Sequence, residues 1–152
     1  MKETSSVKQI YAPVERVYST LSNLENLLPL IERAKTDENI RTKLREAGHE
    51  GALDELDKVE ITADSIAIPA PMMGTISMQI IEREENKCIK FQTMQSPIKA
   101  NFWIQTLPVT ADTSKMRLTI DADIPFMLKA MVGSKLKDGI EKVADALAMI
   151  AY

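Results

Sequence analysis

The residue types that could do chemistry are few and scattered. His49 is the only histidine and Cys88 the only cysteine. A metal centre needs several convergent ligands, and one of each does not supply them, so no metal site is expected. His49 sits between Gly48 and Gly51 in a charged stretch, where a solvated side chain is the simplest reading. A Cys–His nucleophile would need the two within hydrogen-bond reach, and nothing in their spacing arranges that. Asp121 and Asp123 alternate with apolar residues, which puts both carboxylates on the wet side of a strand rather than in a cleft as a general acid/base pair. Asp123 also precedes the last helix, whose start favours negative charge. No catalytic residue or cofactor is expected from this set. Tyr18 is the more interesting polar group: it shares a helical face with Val14 and Leu21, and a buried hydroxyl seeks a partner. Tyr11, one strand end earlier, would count toward catalysis only by pointing into a pocket.

These residues hang on elements the pattern defines well. Leu128, Val132, Leu136, Ile140, Val143, Leu147 and Ile150 recur at three/four spacing, so residues 125–152 predict a long amphipathic helix. Pro125 suits its first turn. Gly133 and Gly139 inside it each cost about 1 kcal/mol relative to alanine; they suit close approach of the sheet or a ligand, or a break with the main helix starting near Ser134. Upstream, residues 3–11 read as a strand, although Val7 and Ile10 do not alternate strictly. A short helix follows over 13–22. Ser22 and Glu25 have capping-box spacing for a second, with Pro29 expected to kink or restart it.

Residues 32–57 are dense in charge, with a thin stripe of Ile40, Leu44 and Ala47 and a cap at Thr36 or Asp37. They predict a surface helix and connection, with a lid over a cavity mouth as the functional alternative. From Lys58 the period becomes two. Strands are expected at 59–61, 66–68, 76–80, 89–93, 99–107 and 116–124, joined by short turns such as Glu85-Asn86 and Ala111–Ser114. Short turns make an antiparallel meander with one wet face, and the last helix must cover the other.

A chain of 152 residues fits one domain, here 1–152, able to bury a real core. The net charge of −3 with mixed signs and no basic block argues against nucleic acid. No apolar run reaches bilayer length, the first residues lack a signal-peptide core, and a lone cysteine is compatible with a reducing compartment; a cytoplasmic protein is expected.

Several strings resemble the START-like, or Bet v 1-like, superfamily, which includes polyketide cyclase/dehydrase and lipid-transport proteins. They are Ile10–Tyr18 at the first strand–helix junction, Leu21–Leu27 after it, Ile81-Glu82-Arg83-Glu84 and Ile89-Lys90-Phe91 at a central hairpin, and the Pro125–Ile150 helix. The resemblance implies an α+β helix-grip fold: a seven-stranded antiparallel sheet wrapped around the long C-terminal helix, with two short helices after strand 1. It also implies a hydrophobic small-molecule cavity between sheet and helix. The charged 32–57 segment is longer than the corresponding connection in compact members.

The favoured expectation is therefore a non-enzymatic binder of an apolar, lipid- or polyketide-like molecule. Candidate lining residues are Tyr18, Met78, Ile80, Phe91, Thr93, Phe102, Ile104, Leu118, Ile120, Met127 and Met131. The methionines enter because a flexible thioether side chain suits a cavity of adaptable shape, though core filling explains them equally. A second reading makes the outer sheet face around Trp103 an interaction surface or homodimer contact. A cyclase- or dehydratase-type enzyme is the least favoured, since the inward faces carry no titratable group.

Overall fold

The computed structural model describes residues 1–46, 48, 58–70, 74–96, 98–150 and 152. His49 and, with it, residues 47 and 50–57 of the expected lid lie outside the described residues.

The first strand is two pieces, β1 (Lys2–Thr4) and β2 (Lys8–Ile10), both paired with the same partner. Thr4 faces Thr119 and Lys8 faces Met116, so four steps on one side oppose three on the other, which is a bulge. The extra residue explains why Val7 and Ile10 break alternation. Ser5 holds the gap: its amide donates to the Leu118 carbonyl at 2.8 Å and its Oγ accepts from the Leu118 amide at 2.9 Å.

Helix α1 (Val14–Leu21) follows, with Pro13 as its N-cap residue and Val14, Val17 and Leu21 buried. The next cap is not Ser22, whose hydroxyl donates back to Ser19. Asn23 takes that role: its side chain accepts from the Glu25 amide at the start of a 3₁₀ turn, Leu24–Asn26. Helix α2 (Leu27–Thr36) begins directly after. Pro29 falls in its first turn, where a missing N–H costs no hydrogen bond, and the helix runs on past it to Thr36. Helix α3 (Glu38–Glu46) is capped by Asp37, which accepts from the amides of Asn39 and Ile40.

The remaining strands are β3 (Glu60–Ile61), β4 (Ser65–Ala70), β5 (Gly74–Glu84), β6 (Cys88–Met94), β7 (Ala100–Pro108) and β8 (Ser114–Ala122). Every pairing is antiparallel and the order is β1-β8-β7-β6-β5-β4-β3, with β2 continuing β1 along β8. The meander is thus as expected, and β1 with β2 makes the seventh position. β5 has its own bulge between Ile80 and Glu82. The bulge leaves Ile81 outward. Beyond it, Arg83 bonds the Ser22 carbonyl and Asp64, tying the central hairpin to the α1 end.

After a 3₁₀ turn, Phe126–Leu128, helix α4 runs unbroken from Lys129 to Ala148. Both glycines lie within it. A Cβ at Gly133 would sit 3.4 Å from the Met1 side chain, so here the first strand approaches closely; at Gly139 it would meet nothing. Helix α4 packs on β8, β1 and β2, at one side of the sheet. A four-point attachment fixes it there. Lys8 Nζ lies 2.9 Å from Glu141 and 2.6 Å from Asp145, while the Ser6 amide and hydroxyl both donate to Glu141.

Among the described residues, two buried clusters result. The larger joins Ile10, Val17, Leu21 and Leu24 to Ile80, Ile89, Phe91, Ile104, Met116 and Leu118, closed by Ile140 and Ala144. The smaller is Ala100, Ala122 and Ile124, covered by Met1, Val132 and Leu136.

Candidate functional site: the half-buried floor beneath the C-terminal helix

The inward rows of the sheet follow from period-two alternation and register. Ile80, Phe91, Phe102 and Ile120 form one row across β5–β8, and Ile89, Ile104 and Leu118 form the next. The second row is fully buried. In the first, Ile80 and Phe91 are buried but Phe102 and Ile120 are only half-buried, as is Met78 beside them. Phe91 and Phe102 meet edge to face with ring centroids 5.6 Å apart, a favoured aromatic geometry. Ile120 touches both clusters, whereas Met78 and Phe102 pack against the larger one.

Helix α4 lies to one side of that floor. Glu141 and Asp145 pull one flank onto β2. The opposite flank, by the 100° helical step, carries Val132, Leu136, Gly139 and Val143. Val143 is 41% exposed, Val132, Leu136 and Gly139 are half-buried, and Gly139 has open space where a Cβ would stand. Val132 and Leu136 of this flank pack on the smaller cluster, as does Ile120, while Gly139 has room beside it.

Not every candidate residue belongs to this place. Met78, Ile80, Phe91, Phe102, Ile104, Leu118 and Ile120 face the helix side, as alternation requires. Thr93 does too, but its hydroxyl is engaged: it donates to the Ile98 carbonyl and accepts from the Ala100 amide. Tyr18 packs at the margin of the larger cluster and lines a separate surface cleft of about 660 Å³ with Glu15, Arg16, Ser19, Ser22, Glu85 and Asn86. Met127 and Met131 are corrections. They are 87% and 56% exposed, not tucked beneath the helix. Met127 precedes the first α-helical turn, and Met131 is nine residues from Ile140, two and a half turns away, hence on the opposite face. Residue type alone admits both methionines, but the three/four stripe excludes Met131. The α4 flank with Gly139 follows from the spacing of the same stripe.

The groups weighed for acid/base work lie elsewhere. Tyr11 is 83% exposed, and Asp121 and Asp123 are exposed on the outer side. Cys88 faces outward; burial, then the nearby Glu84 and Glu82, push its thiol pKa up, away from the reactive thiolate. Burial also raises the Tyr152 phenol, which donates to the Leu147 carbonyl at 2.7 Å. Trp103 is half-buried on the outer face with Lys90 Nζ 5.4 Å above its ring, a cation–π arrangement. Among the described residues, no group of three or more His, Cys, Asp or Glu could hold a metal ion, and no helix is long and apolar enough to cross a membrane.

No protein-family model and no curated protein sequence matches the chain. Solved structures do. Norcoclaurine synthase from Thalictrum flavum superposes with a TM-score of 0.63 at 11% identity, covering 97% of this chain and 85% of that one. The same enzyme in complex with dopamine and hydroxybenzaldehyde gives 0.60 at 12% identity, with coverages of 97% and 85%. A START superfamily protein from Mycobacterium smegmatis gives 0.57 at 14% identity, covering 97% and 94%. Likeness of this extent at such low identity concerns the backbone alone. With the meander, the two short helices after the first strand and the long helix laid on the concave face, it shows that this chain has the START/Bet v 1-like helix-grip fold.

Proposed function

We propose that the protein binds an apolar small molecule, lipid- or polyketide-like, between the sheet and α4, without catalysing its conversion. One observation carries the reading. Inward residues Met78, Phe102 and Ile120 are half-buried at the margin of the larger cluster, and the apolar flank of α4 has room beside Gly139. Apolar side chains left part-wet at the margin of a core are a surface that a ligand can dry, at about 25 cal/mol per Å² covered. None of the side chains on that floor titrates near neutral pH, which gives acid/base chemistry no agent there. The same fold holds small aromatic molecules in the norcoclaurine synthase complex. The lone cysteine fits a reducing, cytoplasmic setting.

Gly139→Leu separates this function from mere folding. The substitution replaces a mid-helix glycine and should leave the protein as stable or more so, by up to about 1 kcal/mol. Its side chain would occupy the space beside the floor. Titration with the fluorescent fatty acid cis-parinaric acid should show saturable binding to the wild type. Affinity should fall at least tenfold in the variant, with the melting temperature held or raised. Absence of saturable binding to the wild type, or equal affinity in the variant, would reject the site.

A further inference from the structure

The outer face of the sheet carries a cleft that the ligand site does not use. It holds about 280 Å³ and is lined by Lys2 and Thr4 of β1, Trp103 and Gln105 of β7, and Arg117 and Thr119 of β8. In register, Thr4, Thr119 and Trp103 form one row across it; Lys2 stands at one end, and Arg117, opposite Gln105, at the other. Arg117 Nε donates to Gln105 Oε1 at 3.1 Å, and the Thr119 hydroxyl donates to the same oxygen at 3.4 Å. A guanidinium has no acceptor, so the atom it meets must be the amide oxygen, and the amide NH₂ is left to donate. The Nη groups of Arg117 are left over in the same way. None of the lining residues is an acid. The acid nearest in register, Asp121, stands at the Lys2 end, opposite Lys2 itself. At the Arg117 end, Lys115 continues the same face, and the first acid across the sheet, Glu84, lies beyond Gln105 and Cys88.

We infer that this cleft binds a small aromatic oxyanion, a flat ring carrying a carboxylate or phosphate. The oxyanion meets the Nη edge of Arg117 and the Gln105 amide, a set of donors with no acid beside it, and the ring lies along Trp103 and Thr119. Lys90, on the β6 side of Trp103 and 5.4 Å from its ring, props the indole from the side away from β8. Trp103 is half-buried, so it walls a recess rather than protruding from the sheet. A recess of this volume is at the small end for ligand pockets and suits a small molecule rather than a flat protein partner. The inference is independent of the apolar site, which lies on the opposite face of the sheet.

The chain has one tryptophan, so its fluorescence reports on the cleft directly. Titration of the full chain with benzoate and with phenyl phosphate should give a saturable change with at least one of them, and none with neutral benzamide at equal concentration. Raised salt should weaken the binding. Arg117→Gln should lower affinity at least tenfold, since a charge-assisted contact is lost. Arg117 is exposed, so the variant's melting temperature should stay at the wild type's, keeping a folding defect apart from a binding defect. Lys2→Gln should cost less than Arg117→Gln, because Asp121 already offsets that charge, and Gly139→Leu should leave the response intact. No saturable change with either oxyanion, an equal response to benzamide, or wild-type affinity in Arg117→Gln overturns the inference. So does a larger loss in Lys2→Gln than in Arg117→Gln, or a response abolished by Gly139→Leu, which would put the ring beneath α4 instead.

Discussion

At the residue scale, the most constrained charge is Glu141. The Ser6 amide first, and then Lys8, hold its carboxyl below the usual carboxylate range. For Lys8, burial pulls the pKa down, but the hydrogen bonds and charges of Asp145 and Glu141 outweigh it and leave the ammonium raised. The two shifts act in opposite pH windows. Glu141's contribution is complete above its unfolded pKa of about 4.3 and is lost as pH falls through the lower folded value. Lys8's is complete below its unfolded pKa of about 10.4 and is lost as pH rises through the higher folded one. Solvent screens this exposed attachment, so Glu141→Gln should cost about 0.5–1 kcal/mol at neutral pH. In urea titrations the difference from wild type should shrink toward pH 3; a difference independent of pH down to that point would show that the charge is not what matters. This attachment was not legible in the sequence. Lys8 and Glu141 are separated by most of the chain, and lysine–acid pairs are too common for any two to be matched by eye.

At the element scale, Ser5 shows how a polar residue can set a strand's course. Its backbone and side chain together satisfy both ladder groups of Leu118, a fully buried residue, across the bulge. Ser5→Ala keeps the shape but leaves the Leu118 amide without its acceptor. The expected loss is about 1–3 kcal/mol, because a buried unpaired amide forfeits its hydration without return. Hydrogen exchange at Leu118 should accelerate along with it, and an unchanged rate would place the stabilisation elsewhere. In sequence, the bulge was visible only as a failed alternation at Val7 and Ile10. The regular strands were read well for a simple reason: a two-residue period over Met116–Ala122 needs no knowledge of the partner, whereas a bulge exists only relative to one.

At the scale of the whole molecule, helix, sheet and the α1–α2 segment share the larger cluster. We propose that residues 1–152 unfold as one domain. Far-ultraviolet dichroism and Trp103 fluorescence, which report helix and outer sheet face respectively, should give coincident urea transitions. Leu118→Ala, at the cluster's centre, should shift both by about 2–5 kcal/mol. A helix signal melting before the tryptophan signal would divide the molecule.

The sequence by itself determined which residues form the helix stripe and which alternate along each strand, and hence the meander and the grip. Those patterns are local periods, written in the spacing of apolar side chains. Only the tertiary structure decided where α4 rests: drawn to the β1–β2 side by the acids of one flank, with its apolar other flank left half-buried. It also decided that Met127 and Met131 stand in solvent. Residue type says that a methionine is apolar, but the angle accumulated along the helix says where it points.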